Sequence, residues 1–131
     1  FGSIAKKVYT IECLPLIDWK KNIDELELTN VELIHAYSPW LNINKDIDFL
    51  FIDGDHRTMM CIADYVYFQP FVKVGGKIAF HDILLTDENV EFMVNRAINI
   101  IKEESPNIKE IARCGGRCGT VVFEKIKEFG P

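Results

Sequence analysis

The fold of this chain is decided by the stretch Ile47-Asp48-Phe49-Leu50-Phe51-Ile52-Asp53-Gly54-Asp55-His56. Residues 47–52 are almost continuously apolar, which predicts a strand buried on both faces, because a half-exposed strand alternates apolar and polar positions. Two acids, a glycine and a histidine follow directly at its carboxyl end. Ligands of open α/β sheets bind just beyond the carboxyl ends of the strands. We therefore expect Asp53 and His56 to belong to a functional site.

The same design recurs in a second stretch, Gly75-Gly76-Lys77-Ile78-Ala79-Phe80-His81-Asp82. The two glycines predict a turn that leads into a short apolar strand over 77–80. His81 and Asp82 then follow at the carboxyl end of that strand. If the two strands are parallel neighbours, the acids and histidines that end them collect at one edge of the sheet. This edge is the candidate functional site.

The rest of the sequence alternates predicted strands and helices. β-Branched and aromatic residues predict strands over 7–12, 31–37, 109–113 and 120–124, the last two forming a hairpin. Three helices are predicted from these apolar stripes: Leu16, Trp19, Ile23 and Leu26; Met59, Ile62, Ala63 and Val66; and Val90, Met93, Val94, Ala97, Ile98 and Ile101. Asn30 is the expected end of the first helix, and Thr86 the expected N-cap of the third. This order predicts an α/β fold with a mostly parallel sheet, helices on both faces and a C-terminal antiparallel hairpin.

Length and composition narrow the class of protein. With 131 residues, we expect one domain spanning residues 1–131. The net charge is −5 and no basic block occurs, so the sequence predicts no nucleic-acid partner. Apolar runs of about six residues fall far short of the roughly 20 that a membrane helix needs, so no membrane partner is expected. The absence of a signal peptide from the sequence favours a cytoplasmic location.

Four cysteines allow two interpretations. Cys114 and Cys118 flank a glycine-rich turn and have the spacing of half a zinc site, but a structural zinc site needs four ligands and no second pair lies nearby. Reduced thiols in a cytoplasmic protein are the simpler account.

The paired motifs FIDGDH and GGKIAFHD resemble those of class I S-adenosylmethionine-dependent methyltransferases, and most of all the small-molecule and sugar O-methyltransferase-like branch. Residues 8–12 are similar to the second strand of that family, whose terminal acid binds the ribose of the cofactor. The resemblance extends from about residue 7 to residue 124. It implies a Rossmann-like sheet, S-adenosylmethionine as cofactor and a small molecule or sugar as methyl acceptor.

The sequence departs from the family pattern in two places. The first strand and its glycine-rich cofactor loop should precede Lys7, so the chain resembles a domain that lacks this N-terminal part. Such a piece is expected to bind cofactor weakly or not at all and to be inactive by itself. Its exposed sheet centre is a pairing and aggregation hazard that would allow a homodimer. The family also often carries Gly-Asp-Ser after the third strand, where this chain has Ala36-Tyr37-Ser38. Tyr37 therefore replaces the acid that faces the adenine, with Tyr37 and Ser38 expected beside the cofactor.

The resemblance, together with the chemistry of the side chains, suggests roles for five further positions. Glu12 is expected to hold the ribose hydroxyls, the alternative being a solvated acid at a strand end. Asp53 is expected on the cofactor side and, with His81 and Asp82, as a ligand of Mg²⁺ or another divalent cation; the alternative is that His81 and Asp82 only cap local backbone. Asp53, His56 and His81 are the candidate catalytic residues. His56 has the type of side chain that acts as a general base, although a histidine at a helix N-terminus is also common as plain structure.

Two functions remain open at this point. The first is methyl transfer from S-adenosylmethionine to an oxygen of a small molecule or sugar, with or without a metal. The second is a non-catalytic binding or assembly module with a Rossmann-like fold that has lost its cofactor loop. A nicotinamide dehydrogenase fits less well, because the Gly-x-Gly-x-x-Gly fingerprint is absent from the sequence.

Overall fold

The computed structural model describes residues 5–13, 17–38, 41, 46–85 and 93–128, with only the backbone of residues 17–19. The chain divides into two compact units, residues 1–43 and residues 44–131, which are described separately. The single domain expected over residues 1–131 stays a prediction. In the part of the chain that the structure describes, no helix is long and apolar enough to cross a membrane.

The first unit is a strand–helix–strand unit. It contains β1 (Val8–Glu12), α1 (Ile17–Glu25) and β2 (Val31–His35). The two strands are parallel, with Val8 opposite Val31 and Glu12 opposite His35. Their carboxyl ends therefore lie side by side, as the alternation of elements predicted.

Helix α1 ends at Glu25, earlier than the predicted end at Asn30. The amide of Leu28 donates to the carbonyl of Ile23, the amide of Glu27 donates to that of Asp24, and Glu27 has a φ of 51°. This is a Schellman motif, which satisfies the last carbonyls and stops the helix. Leu26 consequently lies in the turn and is exposed, so it was wrongly assigned to the buried stripe. Strand β2 also ends two residues before the predicted end, at His35.

The second unit is a four-stranded sheet with two helices. Its elements are β3 (Ile47–Ile52), α2 (Thr58–Phe68), a 3₁₀ turn (Gln69–Phe71), β4 (Val72–His81), α3 (Val94–Glu104), β5 (Ile108–Cys114) and β6 (Thr120–Lys125). The strand order is β3-β4-β6-β5. Strands β3 and β4 are parallel, whereas β6 is antiparallel to both β4 and β5. The predicted parallel pair and the predicted C-terminal hairpin are both confirmed.

One face of this sheet carries the core. Ile52 lies opposite Phe80, and Phe80 lies opposite Val121, so the three side chains point to the same side. Buried residues of α2 and α3 belong to the same hydrophobic cluster. In α3 the buried residues are Val94, Ala97, Ile98 and Ile101, which confirms the predicted stripe for the described part of that helix. The predicted N-cap Thr86 and the stripe residue Val90 lie outside the described residues.

Strand β3 differs from the prediction of burial on both faces. Leu50 and Ile52 turn towards the core, but Phe49 and Phe51 are 42% and 38% exposed. Among the described residues of this unit, α2 and α3 cover one face of the sheet, and β3 is an outer strand of the order. A continuous apolar run shows how many residues are apolar, and not how many layers cover them.

The predicted stripe of α2 was wrong at two of its four positions, whereas Ile62 packs against the core as expected. Met59 and Val66 are 70% and 59% exposed, and the buried apolar residues are Cys61, Tyr65 and Phe68. Apolar residues occur on nearly every side of this helix, so their spacing does not single out one face.

The glycine turn expected before residue 77 is part of a longer strand. Strand β4 begins at Val72 and includes Gly75 and Gly76. Its register against β3 shifts between the pairs Ile47–Val72 and Phe49–Lys77. The two glycines therefore form an irregularity inside the strand and not a turn before it.

Candidate functional site

The candidate site lies at the carboxyl ends of β3 and β4. Because Ile52 pairs with Phe80, the following residues Asp53 and His81 leave the sheet side by side. Nδ1 of His81 lies 3.3 Å from Oδ1 of Asp53 and 3.1 Å from Oδ1 of Asp82. The structure thus brings together the three residues that were predicted from their strand ends.

His56 joins this group through Asp82. Its Nε2 lies 2.9 Å from Oδ2 of Asp82, so the Asp82 carboxylate contacts one histidine with each oxygen. The Asp82 side chain is only 11% exposed, whereas that of His56 is 41% exposed. The imidazole of His56 is therefore held at one end and open to solvent over much of its surface.

The loop that carries His56 is fixed by a local hydrogen-bond network. The backbone amide of Arg57 donates to Oδ1 of Asp55 at 2.9 Å, and the Arg57 guanidinium also pairs with the same carboxylate. These hydrogen bonds from Arg57 lower the pKa of Asp55. These contacts fix the conformation of the loop between β3 and α2, which begins with Asp53 and contains His56.

Asp82 adopts a backbone conformation that non-glycine residues rarely adopt. Its φ is 58°, and the amide of Leu85 donates to its carbonyl at 3.2 Å. Such a conformation costs roughly 1–3 kcal/mol and persists where the surroundings hold it, often at functional sites. Here it turns the carboxylate between the two histidines.

The two acids of the site differ in their electrostatics. Burial raises the pKa of Asp53, and the nearby Asp82 adds to this effect while His81 opposes it. Burial acts in the same direction on Asp82, but the neighbouring His81 imidazole and Cys118 thiol outweigh it and lower the pKa of Asp82. Asp82 is therefore the more firmly ionised of the two carboxylates.

The geometry fits a divalent cation. Nδ1 of His81 is buried and makes no hydrogen bond of acceptable geometry, although two carboxylate oxygens are close. One ligand atom from each of Asp53, His81 and Asp82 lies within 4.8 Å of the others. Neighbouring ligands in an octahedral site with bonds near 2.1 Å are about 3 Å apart, which is close to the two distances from Nδ1 of His81 to the oxygens of Asp53 and Asp82. The metal role of the three residues stays a prediction that this spacing supports.

Cys118 and Asp64 are two neighbours of the site that the sequence analysis missed. The Asp82 carboxylate raises the pKa of the Cys118 thiol. Asp64 is a buried acid of α2, and its Oδ2 lies 3.6 Å from the position that a side chain at Gly54 would occupy. Topology offered a signal for Cys118, because β6 is antiparallel to β4 and so begins where β4 ends.

The four cysteines are free thiols, and the described residues hold no zinc-type cysteine cluster.

The predicted cofactor residues of the first unit lie at one edge of the β1–β2 pair. Glu12 ends β1, and its Oε1 accepts a hydrogen bond from the Cys13 amide at 3.2 Å. Tyr37 and Ser38 follow β2, and Tyr37 is 68% exposed. His35, opposite Glu12, contacts the Cys13 carbonyl through Nε2 at 3.3 Å, as befits a structural histidine. The convergence of these residues with Asp53 stays a prediction, because Asp53 belongs to the second unit.

Comparison with known families gives one match over more than half of the chain. The family described as a methyltransferase domain matches residues 6–83, which include β1 to β4 and the three residues of the candidate metal site. An uncharacterised protein of Acanthamoeba polyphaga mimivirus is 38% identical over 72 residues, covering 48% of this chain and 33% of the viral protein. The chain thus spans about a third of the curated relative it matches.

Solved structures share the fold across nearly the whole chain. A candidate rRNA methylase from Clostridium thermocellum has a TM-score of 0.76 at 16% identity, covering 94% of this chain and 74% of its own. A candidate methyltransferase from Streptococcus mutans, in complex with SAH, gives 0.74 at 16%, with coverages of 95% and 78%. A candidate caffeoyl-CoA O-methyltransferase from Staphylococcus aureus has a TM-score of 0.75 at 19% identity, covering 95% of this chain and 68% of its own. Likenesses at such identities establish the fold and leave the acceptor open.

Proposed function

The chain belongs to the class I S-adenosylmethionine-dependent methyltransferases, and on this premise we propose that it transfers a methyl group from the cofactor to an oxygen of a small molecule or sugar. The observation that carries the proposal is the cluster of Asp53, His81 and Asp82 at the carboxyl edge of β3 and β4. That edge is where α/β sheets bind their ligands.

Glu12 is the residue that we expect to hold the cofactor. It ends β1 at the carboxyl edge, and the amide of Cys13 uses only one of its two carboxylate oxygens. A carboxylate offers about four acceptor positions, so the vicinal hydroxyls of a ribose can still be bound. Tyr37 and Ser38 at the neighbouring strand end extend the same edge. S-adenosylmethionine, when bound, supplies a methyl group on a positively charged sulfur.

Asp53, His81 and Asp82 are the residues that would hold a divalent cation. Two carboxylates and one imidazole suit Mg²⁺ and, because of the imidazole, Mn²⁺, Fe²⁺ or Zn²⁺. Such an ion acts as a Lewis acid that lowers the pKa of an acceptor hydroxyl. The buried Nδ1 of His81, which has no hydrogen bond of its own, is a ready ligand atom.

His56 is the residue that we expect to accept the proton that the acceptor hydroxyl loses. Because Nε2 faces the Asp82 carboxylate at 2.9 Å, we assign the ring proton to Nε2 and the basic lone pair to Nδ1. After proton transfer, Asp82 stabilises the imidazolium and holds the ring in place. The deprotonated acceptor oxygen would then be the nucleophile for the methyl group that S-adenosylmethionine would supply.

A small acceptor fits the charge of the chain better than RNA. The net charge is −5, and association with a phosphate backbone depends on Lys and Arg contacts. One structural neighbour is a candidate rRNA methylase, so RNA is the acceptor class against which the proposal has to be tested.

The decisive experiment measures transfer of a radiolabelled methyl group from S-adenosylmethionine by the full-length native protein. A cell extract supplies the acceptors and is then separated into RNA and small-molecule fractions, with Mn²⁺ or EDTA present. We expect label in the small-molecule fraction, lost in EDTA and reduced about 100-fold or more by His81→Ala. Asp48→Ala is the matched control, because Asp48 is an exposed acid of β3 that pairs with Lys73.

Each other outcome corrects a different part of the proposal. Label in the RNA fraction would replace the acceptor class. Activity that EDTA leaves intact would remove the metal. Absence of both methyl transfer and calorimetric binding of S-adenosylmethionine would favour the non-catalytic binding module. The Glu12→Gln variant tests the cofactor contact. Its affinity for S-adenosylmethionine should fall about tenfold or more, whereas the Glu32→Gln variant, changed at an exposed acid, should bind the cofactor as the unchanged protein does.

A further inference from the structure

A cleft is present where α2 and α3 begin. Its volume is about 430 Å³, within the range of roughly 300–1,000 Å³ that is usual for small-molecule pockets. Its lining consists of Arg57, Thr58, Met59, Met60, Arg96 and Ile100. The hydroxyl of Thr58 donates to the carbonyl of Met93 at 3.1 Å, and this hydrogen bond holds the starts of the two helices together.

The cleft adjoins the candidate site. Helix α2 follows the carboxyl end of β3, which is the edge of the sheet where α/β proteins bind their ligands. Arg57 comes directly after His56, whose Nε2 contacts Asp82 at 2.9 Å. Consecutive Cα atoms are about 3.8 Å apart, so the cleft begins one residue away from the expected general base.

The cleft carries one net positive charge. Two guanidinium groups and no carboxylate line it. Asp55 pairs with Arg57 and balances its charge, whereas Arg96 is exposed and forms no ion pair among the described residues. In a chain with a net charge of −5, this local charge matches a single carboxylate better than a doubly charged phosphate.

Arg57 can still contribute hydrogen bonds to a ligand. Its pairing with Asp55 uses Nε and Nη2. A guanidinium has five N–H donors, so those of Nη1 remain available in a group whose orientation Asp55 already holds. Arg96 is then the residue that supplies the charge, and Arg57 a fixed donor.

The rest of the lining suits an apolar molecule. Met59, Met60 and Ile100 contribute it, and Met59 is 70% exposed although it belongs to an apolar helix. Methionine side chains are flexible and polarisable, and adapt to the shape of a ligand. An apolar body that bears a carboxylate therefore matches both parts of the cleft.

We propose that this cleft binds the methyl acceptor, which is a hydroxylated carboxylic acid with an apolar body and not a neutral sugar. Arg96 pairs with the carboxylate, Arg57 donates to it, and the methionines contact the body. That the bound acid is the methyl acceptor rests on the proposed function, whereas binding of the acid to the cleft does not.

The test titrates the full-length native protein, without cofactor, with 4-hydroxyphenylacetate and with its neutral amide, by calorimetry. The acid should bind about tenfold or more tightly than the amide, because only the acid forms a charge-assisted pair. Arg96→Gln should remove this preference by weakening the acid about tenfold and leaving the amide unchanged. Lys109→Gln, which removes the same charge from an exposed position of β5, should bind both as the unchanged protein does. The ¹⁵N–¹H side-chain signal of Arg96 should move with the acid alone.

The outcomes separate this inference from the proposed function. Equal affinities for acid and amide, or a preference that survives Arg96→Gln, would overturn the carboxylate site, and so would inorganic phosphate that binds more tightly than the acid. Binding as expected in a protein that transfers no methyl group would support the cleft and count against methyl transfer. Methyl transfer to neutral sugars at a rate that Arg96→Gln leaves unchanged would overturn the inference and leave the proposed function standing.

Discussion

Gly76 lies where three pieces of backbone and side chain crowd together. A carbon added there would be 2.8 Å from the carbonyl oxygen of Lys73, 2.8 Å from Cγ1 of Val72 and 3.2 Å from the carbonyl oxygen of Asp48. Two of these atoms belong to the backbone, so they cannot move aside cheaply. Gly76 therefore permits the register shift that lets β4 continue alongside β3 to the site.

Gly76→Ala should lower the free energy of unfolding by about 1–3 kcal/mol, because the added methyl group forces the backbone apart. Gly115→Ala is the control: it has no atom within 4 Å of the added carbon and should change the stability by less than about 0.5 kcal/mol. Urea denaturation of both variants measures the difference. Equal stabilities would contradict the crowding at Gly76.

At the same scale, the sequence predicted those site residues that end strands. Asp53, His81 and Asp82 could be placed together because parallel neighbours end at one edge, and the structure places them within 4.8 Å. For Cys118 the strand topology indicates only the neighbourhood, because β6 begins where β4 ends; its position depends on how the hairpin turn folds against Leu84. That turn is fixed by Gly119, whose role appears only in three dimensions.

The two helices of the second unit show when an apolar pattern identifies a buried face. In α3, polar residues separate the apolar positions cleanly, and Ala97 and Ile98 are fully buried as predicted. In α2, apolar residues surround the helix, and the predicted stripe included the exposed Val66. The pattern identifies a face only where polar residues mark the opposite one.

Substitutions in the two helices should therefore have unequal effects. Ile98→Ala should cost about 2–5 kcal/mol, because it leaves a cavity at a side chain with no exposed surface. Val66→Ala should stay within about 0.5 kcal/mol, because that side chain is mostly exposed. Chemical denaturation measures both. A large cost at Val66 would mean that a partner molecule covers this face of α2.

Strand β5 is joined to α3 by an ion-pair network around Glu110. Lys102 of α3 and Arg113 of β5 each lie 2.9 Å from a carboxylate oxygen of Glu110. Hydrogen bonds from Arg113 and Lys102 lower the pKa of Glu110 to about 2 from its ordinary value of 4.5. A lowered pKa means that the ionised form stabilises the fold, so the contribution is complete above about pH 4.5 and disappears as the pH falls towards 2.

Glu110→Gln should therefore be less stable than the unchanged protein at pH 7, by up to about 1 kcal/mol because solvent screens part of the network. The difference in the free energy of unfolding should shrink as the pH falls from 4.5 to about 2, because the glutamate then gains a proton and, like glutamine, carries no charge. Unfolding curves across that range measure it, with the exposed Glu103→Gln of α3 as control. A difference that persists unchanged at pH 2 would show that the network adds no ionic stabilisation.

For the molecule as a whole, the order of elements was enough to predict an α/β fold with a closing hairpin. The order follows from local patterns, and few topologies accommodate alternating strands and helices. The layers that cover each strand were not predictable in the same way, because they depend on distant parts of the chain. Phe49 and Phe51 are the clearest case, since their apolar character predicted burial and they are partly exposed.

A cation bound at Asp53, His81 and Asp82 joins two neighbouring strands, so its effect should reach the stability of the whole fold. A ligand that binds only the native state raises the free energy of unfolding by about 2.7 kcal/mol at 100 times its dissociation constant. We expect Mn²⁺ to raise the melting temperature of the protein and EDTA to reverse the rise. Asp53→Ala should abolish it, whereas Asp48→Ala, which removes the same charge from an exposed position of the same strand, should retain it. Equal rises in the two variants would mean that Mn²⁺ binds elsewhere, and the three residues would then serve only to hold His56 and the ends of the strands in place.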